Sequence, residues 1–368
     1  MKRTFLFLFS TLALFSCSNQ IAENQDILFT REDFQSQKLL SNPEKVVFED
    51  TYNDPVCYWL IQDSLVLVQN QPQSDYMIEI FSLNTQKRIL ALATRGNGPG
   101  EFRSCKCIVP SSQSPVFYIK DAQQSKMYTV NIPQTLQTGE LAIEKQFQYS
   151  EDIHPQTDIC ILNDTEYAGY HFWHLDDSTY NNGVPAIQKY EISNEPMEIK
   201  SQMSFMDKYS YFVADVNGGN LFRVADNQIW LAEFHKDRIS IYDDSLHLIK
   251  TITGPDNYPL RYERHKSNIP MPFITFQNET SFRSYSSWTL TKDAVYLIYE
   301  HYDGKEFDPE HLQPVEVFRF DKEGNPQIAY QADRPLYSLS IDSRGEYLYT
   351  VSRPSYADAV EFIRYKLK

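Results

Sequence analysis

Glycine is scarce in this sequence, with 12 residues in 368, and three of them fall within five positions of the stretch TRGNGPGEF from Thr94 to Phe102. Basic residues are also in deficit, because 34 lysines and arginines face 49 aspartates and glutamates, for a formal net charge of −15. This charge excludes a broad surface for nucleic acid or other polyanions. The chain also lacks the 3.6-residue apolar period of amphipathic helices and the catalytic motifs GxSxG and HExxH.

Cysteine is rarer still, and four of the five cysteines lie far from the N-terminus: Cys57, Cys105, Cys107 and Cys160. Cys105 and Cys107 are two apart in a strand-like run and share a face, so we do not expect them to bridge each other. Either could pair with Cys57 or Cys160, and the pairing stays open. No second paired-ligand motif accompanies CKC. We therefore predict no metal site and no cofactor.

The N-terminus has the pattern of an export signal. Lys2 and Arg3 precede TFLFLFSTLALF, an apolar run that is too short to anchor the chain across a bilayer. The following LFSC resembles a bacterial lipobox, which implies cleavage before Cys17 and lipidation of that residue. An ordinary secretory signal with a chance cysteine is the alternative. We divide the chain into a signal peptide (1–16), lipidated Cys17 with a flexible tether (17–43) and a folded region (44–368).

A unit of strand, tight polar turn and aromatic-rich strand recurs along the folded region. Its copies are QDSLVLV, QSPVFYI, NDTEYAG, DNQIWLA, KDAVYLI and SRGEYLY, and their second strands begin near residues 64, 115, 166, 228, 294 and 346. The 25 tyrosines and 23 phenylalanines also favour strands. A period of this size over six units is typical of a β-propeller.

Each unit accommodates four strands, except the last. The first unit takes 56–61, 64–69, 76–82 and 87–93, whereas the sixth lacks a fourth strand. KVVFED, from Lys45 to Asp50, is the one strand left over, and closing the last blade with it removes an open sheet edge. The sequence thus predicts an all-β, six-bladed β-propeller with four-stranded blades, the last one closed by an N-terminal strand.

With the lipobox, six units and RGNGPGEF directly after the fourth strand of the first blade, the chain resembles the six-bladed TolB-like or NHL-like β-propeller lipoproteins of Bacteroidota. The resemblance covers nearly the whole mature chain. It implies the propeller fold and an outer-membrane lipoprotein that faces the periplasm or the cell surface. It does not imply an activity.

Alternation of strand direction sorts the connections onto two faces. Connections from second to third strands, and from one blade to the next, open on what we call the long-loop face; the other turns open on the short-turn face. The long connections are 70–75, 175–184, 206–219, 253–283, 301–314 and 353–359. Because long loops on a rigid scaffold usually carry binding, we expect the long-loop face to bind the partner.

Candidate binding residues lie in or beside these connections. NYPLRYERHKSNIPMPF (257–273) concentrates basic residues in an acidic chain, either as a carboxylate-recognising patch or as a solvated loop. HFWHLDD (171–177) is a poor chelate because histidines three apart on a strand face opposite ways, and HYDGKEFDPEH (301–311) lacks EF-hand spacing. The candidates are Arg95, His174, Tyr258, Arg261, Tyr262, Arg264, His265, Arg283 and His301.

TRGNGPGEF itself permits two interpretations. A phosphate loop requires a following helix, but EFRSCKCIVP has a strand pattern and Pro99 lacks a backbone donor. We interpret the stretch as a blade joint in which glycines permit positive φ and close backbone approach, Phe102 anchors the core, and Arg95 and Glu101 pair with each other or with neighbouring loops. Only Arg95 keeps a role toward an anionic ligand. The motif residues are Gly96, Gly98, Pro99, Gly100, Glu101 and Phe102.

These features favour a non-enzymatic, lipid-anchored monomer that binds a protein, peptide or glycan partner in the cell envelope through the long-loop face. We expect membrane contact through the lipid anchor only and no binding of nucleic acid. Two alternatives stay open. One is an envelope hydrolase or lyase acting on carbohydrate or peptide at the channel mouth, with convergent histidines, tyrosines and carboxylates of shifted pKa. The other is a structural scaffold.

Overall fold

The chain forms a ring of six small sheets, the blades of a β-propeller, in a computed structural model. First strands of neighbouring blades contact one another, so these strands surround the axis. The structure describes residues 25–49, 55–98, 100–150, 153, 158–170, 187–192, 201–203, 218–225, 227–257, 262–265, 273–276, 284–300, 312–353, 355 and 358–367.

Blades 1 to 3 each contain four antiparallel strands in chain order from the axis outward. Blade 1 has Pro55–Ile61, Leu65–Asn70, Ile78–Ser82 and Arg88–Leu92. Blade 2 has Lys106–Ile108, Val116–Asp121, Lys126–Asn131 and Ile143–Gln148. Blade 3 has Ile159–Ile161, Glu166–Tyr170, Ile187–Glu191 and Ser201–Met203. The strands predicted for blade 1 are confirmed with small shifts at their ends.

Blades 4 to 6 continue the ring. Blade 4 has Gly219–Ala225, Gln228–Glu233, Arg238–Tyr242 and Leu248–Thr253. Blade 5 has Tyr285–Leu290, Ala294–Tyr299, Glu316–Asp321 and Pro326–Ala332. Blade 6 has Leu339–Ile341, Tyr347–Ser352, Glu361–Lys366 and, as its outer strand, Glu44–Lys45. The prediction of six blades is therefore confirmed.

The N-terminal closing strand is shorter than predicted. Glu44–Lys45 pairs antiparallel with Arg364 and Ile363, and the Val46 N–H donates to the Phe362 carbonyl over 2.9 Å. Beyond it the chain crosses to blade 1, where the Phe48 ring lies 4.7 Å from Phe81 while also stacking on Phe362 at 5.9 Å. The segment predicted as one strand thus joins the last blade to the first with its aromatic side chain.

Residues 25–40, here called the N-terminal strap, differ from the flexible tether assigned to 17–43. Gln25–Leu28 adds a parallel strand to the outer edge of blade 4, and Ser36–Leu40 adds one to blade 5. A 3-10 helix, Arg31–Asp33, links them. Phe29 and Phe34 are buried against Phe318 and Phe320 of blade 5. From Gln25 onward the tether assignment is wrong, because these aromatic rings gain burial by docking.

The core lies between the faces of neighbouring blades. Ala294–Tyr299 is buried along its whole length, since both faces of a blade pack against neighbours. One apolar cluster joins blades 1 and 2, and another joins blades 4 and 5 with the strap.

The strand bounds confirm the sorting of connections. The long-loop face receives 71–77, 93–105, 171–186, 254–284, 300–315 and 353–360, among others. The short-turn face also has longer connections, among them 109–115, 132–142 and 192–200. The connection 132–142 contains the helix Ile132–Thr138, which is capped by the Asn131 side chain. Two small pairs, Thr94–Arg95 with Glu101–Phe102 and Tyr262–His265 with Phe273–Phe276, complete the described strands. Within these described ranges, no helix combines the length and apolarity needed to cross a bilayer.

Candidate functional site

The glycine-rich stretch forms a tight loop between blades 1 and 2. Thr94–Arg95 pairs in parallel with Glu101–Phe102, and the Glu101 carboxylate accepts a hydrogen bond of 2.8 Å from the Gly98 N–H. A Cβ atom on Gly96 would lie 1.8 Å from Glu101 Oε2, so a side chain at this position would displace the Glu101 carboxylate. Gly100 has a φ of 77°, which side chains rarely adopt. Glycine therefore serves the close approach of Glu101 and the turn.

The loop also fixes the start of blade 2. Phe102 is fully buried and meets Tyr128 edge-on, with 4.9 Å between ring centroids. The strand Lys106–Ile108 follows, so no helix N-terminus stands where a phosphate would need one. Arg95 is exposed and forms no ion pair with Glu101. Its hypothetical role toward an anionic ligand stays a prediction.

The remaining candidates divide into two groups. Five lie outside the described residues: His174, Tyr258, Arg261, Arg283 and His301. The other three belong to the strand Tyr262–His265, which pairs with Phe273–Phe276 in the connection between blades 4 and 5. These three are Tyr262, Arg264 and His265.

A lysine pair absent from the sequence candidates lies where blades 2 and 3 begin on the long-loop face. Lys106 Nζ is 2.5 Å from the buried Asp158 carboxylate, and Lys106 is the strand neighbour of Lys120. Lys120 is 1% exposed, with its Nζ 5.3 Å from the centre of the Tyr149 ring. Burial lowers the pKa of Lys120 to about 7, Lys106 lowers it further, and Asp158 opposes the shift.

Lys120→Met is expected to raise the free energy of unfolding by roughly 2 kcal/mol at pH 6. Because the folded-state pKa is lowered, the cost of burying this charge is fully present below about pH 7 and fades as the pH rises toward the unfolded-state pKa of 10.5. Urea unfolding at pH 6, 8 and 10 measures this. Lys126→Met, at a half-buried position of the same blade, is the control. If the gain in the free energy of unfolding does not decline as the pH rises, a buried ammonium is not its cause.

Carboxylates and tyrosines also gather where the strap meets blades 4 and 5. Arg31 pairs with Asp256 at 2.5 Å and with the buried Glu316 at 2.7 Å, and the Tyr299 hydroxyl donates to Asp256 over 3.0 Å. Burial raises the pKa of Asp237 to about 7, although it accepts the backbone N–H groups of Asp256 and Asn257. Arg31 contacts both Asp256 and Glu316, and these ion pairs hold the strap on the ring.

A cavity of about 300 Å³ opens at the short-turn end of the channel, between blades 2, 3, 4 and 5. The connection 109–115 crosses the channel beside it. It receives hydrogen bonds from the Gln62 N–H of blade 1 and the Leu290 N–H of blade 5, and the Ser112 hydroxyl donates to the Ile341 carbonyl of blade 6. The lining comprises Ile108, Pro110, Ser114, Tyr118, Ile159, Cys160, Ile161, Leu221, Phe222, Arg223, Val224, Ala225 and Trp288. No pattern in the sequence predicts this cavity, because its lining depends on which blades face each other.

The four cysteines within the described residues, Cys57, Cys105, Cys107 and Cys160, are free thiols. The Cys105 and Cys107 sulfurs lie 3.8 Å apart, and burial raises the pKa of Cys57 to about 11 and of Cys160 to about 12. These shifts make them poor nucleophiles. In the part of the chain that the structure describes, no three histidines, cysteines or carboxylates are grouped to hold a metal ion.

Comparison with known proteins supports the architecture. A family model described as "TolB-like 6-blade propeller-like" matches residues 58–344. A DUF4221 family member from Bacteroides vulgatus ATCC 8482 is similar in structure, with a TM-score of 0.57, 11% identity and coverage of 90% of this chain and 97% of that one. A candidate exported protein from Bacteroides fragilis NCTC 9343 gives 0.52 and 10%, covering 94% and 100%. No curated protein matches the sequence.

Proposed function

Because the chain belongs to the TolB-like six-blade propeller family, we propose that it is a lipid-anchored envelope protein that binds a protein, peptide or glycan partner on its long-loop face. One observation carries this proposal: the strand order directs the longest connections, including 254–284 and 300–315, to a single face. A rigid ring that presents long loops on one side is the usual design of a binding protein.

The charges on that face support a partner that carries carboxylates. Arg95 and Arg103 are exposed around the joint between blades 1 and 2, in a chain whose net charge is −15. The sequence of the connection 254–284 contains two further arginines, a histidine and a lysine within residues 261–266. Arginine in particular matches the planar geometry of a carboxylate.

The groups with shifted pKa support binding rather than catalysis. Asp237 and Tyr299, whose pKa values are raised by burial, lie beside Asp256, which pairs with the docked Arg31. Export and anchoring rest on the basic and apolar N-terminus with Cys17, and on the similarity to a candidate exported protein. In this proposal lipidated Cys17 leads into the strap, which begins at Gln25, so the anchor attaches to the rim of blades 4 and 5.

Site-specific photo-crosslinking in the native cell tests the proposal. A benzophenone amino acid placed at Arg95 or Gln123, both exposed on the long-loop face, is expected to give a discrete crosslinked product. Thr85 and Glu323 are equally exposed on short turns of blades 1 and 5 and serve as matched controls. The product should disappear when residues 258–283 are replaced by a short glycine–serine linker.

Membrane fractionation of the same cells checks the anchor, since Cys17→Ala is expected to move the protein out of the membrane fraction. Crosslinks confined to Thr85 and Glu323, or products that survive replacement of 258–283, would overturn the assignment of the face. A Cys17→Ala variant that stays with the membrane would overturn the lipid anchor and leave the face to be judged on the crosslinks.

A further inference from the structure

We propose that the cavity at the short-turn end of the channel is a second binding site, which takes a small aromatic carboxylate. This site lies on the face opposite to the proposed partner surface and does not depend on it. Among the described residues, its lining combines an apolar, aromatic wall with one cation, Arg223. That combination defines the chemical class of the ligand.

The shape of the site comes from the crossing connection 109–115. Its hydrogen bonds to blades 1, 5 and 6 hold this connection across the channel beside the cavity. A volume of about 300 Å³ is at the lower end of the range for small-molecule pockets. One bicyclic ring with a short substituent fits this space, whereas a folded partner does not.

Aromatic and branched side chains form the wall. Trp288 stacks on Phe222 with 4.3 Å between ring centroids and planes only 11° apart. Ile108, Ile159 and Leu221 complete the apolar surface. Burial of a flat ring against such a wall contributes favourable binding free energy, and offset or edge-on contact with an aromatic side chain contributes more. The wall therefore selects a planar apolar group over a sugar or a flexible chain.

Arg223 provides the polar recognition. One guanidinium nitrogen, Nη1, donates to the Leu162 carbonyl, and among the described residues no carboxylate lies within ion-pair distance of the group. A half-buried guanidinium without a counter-charge is costly, and its donor fork accepts a carboxylate in bidentate fashion. Burial raises the pKa of the neighbouring Tyr118, which therefore stays protonated as a second donor.

An adjoining cavity of about 570 Å³ extends the site outward between blades 2 and 3. It shares Tyr118, Ile161 and Arg223 with the channel cavity, and its own lining includes Lys145 as well as the carboxylates Glu144 and Asp164. Arg223 thus lies where the apolar end meets the polar one. A ligand can place its ring in the channel and its carboxylate at this boundary.

Calorimetric titration with indole-3-acetate tests the site in the full chain. Binding is expected with a dissociation constant of about 1 mM or tighter, which corresponds to about 4 kcal/mol. The neutral analogue indole-3-acetamide should bind about tenfold more weakly, because it cannot form the charge-assisted pair. Arg223→Gln should weaken indole-3-acetate about tenfold and leave the amide unchanged.

Arg319→Gln is the matched control, since Arg319 is also a half-buried strand arginine but lies on blade 5 outside the cavity. It should leave both ligands unaffected. The inference is overturned if indole-3-acetate does not bind at about 10 mM, or if Arg223→Gln and Arg319→Gln have equal effects. If Arg223→Gln fails to fold, the affinities of the unsubstituted chain for indole-3-acetate and indole-3-acetamide still test the role of the charge. Equal affinities for the two ligands would refute that role.

Discussion

Replacing Phe34 by alanine is expected to lower the free energy of unfolding by about 3 kcal/mol. The Phe34 ring is 6% exposed and lies 4.8 Å from the Phe318 ring and 5.8 Å from the Phe29 ring. Removing it leaves a cavity between the strap and blade 5 and takes support from the parallel strand Ser36–Leu40. Urea unfolding of the recombinant chain from residue 17 onward measures the loss.

Leu39, on the strand Ser36–Leu40 of the strap, provides a control. Its side chain is 76% exposed, so Leu39→Ala should change stability by less than about 0.5 kcal/mol. The comparison separates docking of the strap from strand propensity, because both substitutions replace a large apolar residue by alanine. Equal losses from Phe34→Ala and Leu39→Ala would show that the strap does not rest on its aromatic contacts.

The docking of the strap could not be predicted from the sequence, unlike the strands of the blades. Blade strands could be predicted because their partners are neighbours in sequence, and polar turns separate runs rich in aromatic and β-branched residues. Gln25–Leu28 instead pairs with Leu248–Thr253, more than two hundred residues away. Nothing in a short run between polar residues identifies so distant a partner. Phe29 and Phe34 are the only local signal, since exposed aromatic residues in a tether would be unusual.

In the candidate sites, too, local features could be predicted from the sequence and contacts between distant residues could not. The joint at TRGNGPGEF was interpretable because the role of glycine is local: Gly100 has a positive φ and Gly96 lies against Glu101. Lys106, Lys120 and Asp158 come together only when blades 2 and 3 are assembled. The channel cavity likewise requires the ring to close and 109–115 to cross it. No spacing rule encodes such contacts.

Replacing Arg31 by leucine is expected to lower the free energy of unfolding by roughly 3 kcal/mol, because it leaves the buried Glu316 carboxylate and the half-buried Asp256 carboxylate without their cation. The Arg31 guanidinium holds Asp256 and Glu316 together, and the Glu316 side chain is only 5% exposed. Burial lowers the pKa of Arg31, but hydrogen bonds with both carboxylates raise it by more, so the pKa is raised on balance. The net increase indicates that the pairing is favourable. Thermal or urea unfolding at pH 8 measures the loss.

The matched control is Lys87→Leu, which breaks an exposed pair with Glu49 at 3.4 Å and should cost less than about 0.5 kcal/mol. Adding Glu316→Gln to Arg31→Leu should recover part of the lost stability, since the double variant no longer buries that unpaired charge. If the double variant is as unstable as the sum of the two single ones, the carboxylate is not what Arg31 compensates. The strap would then depend on Phe29 and Phe34 alone.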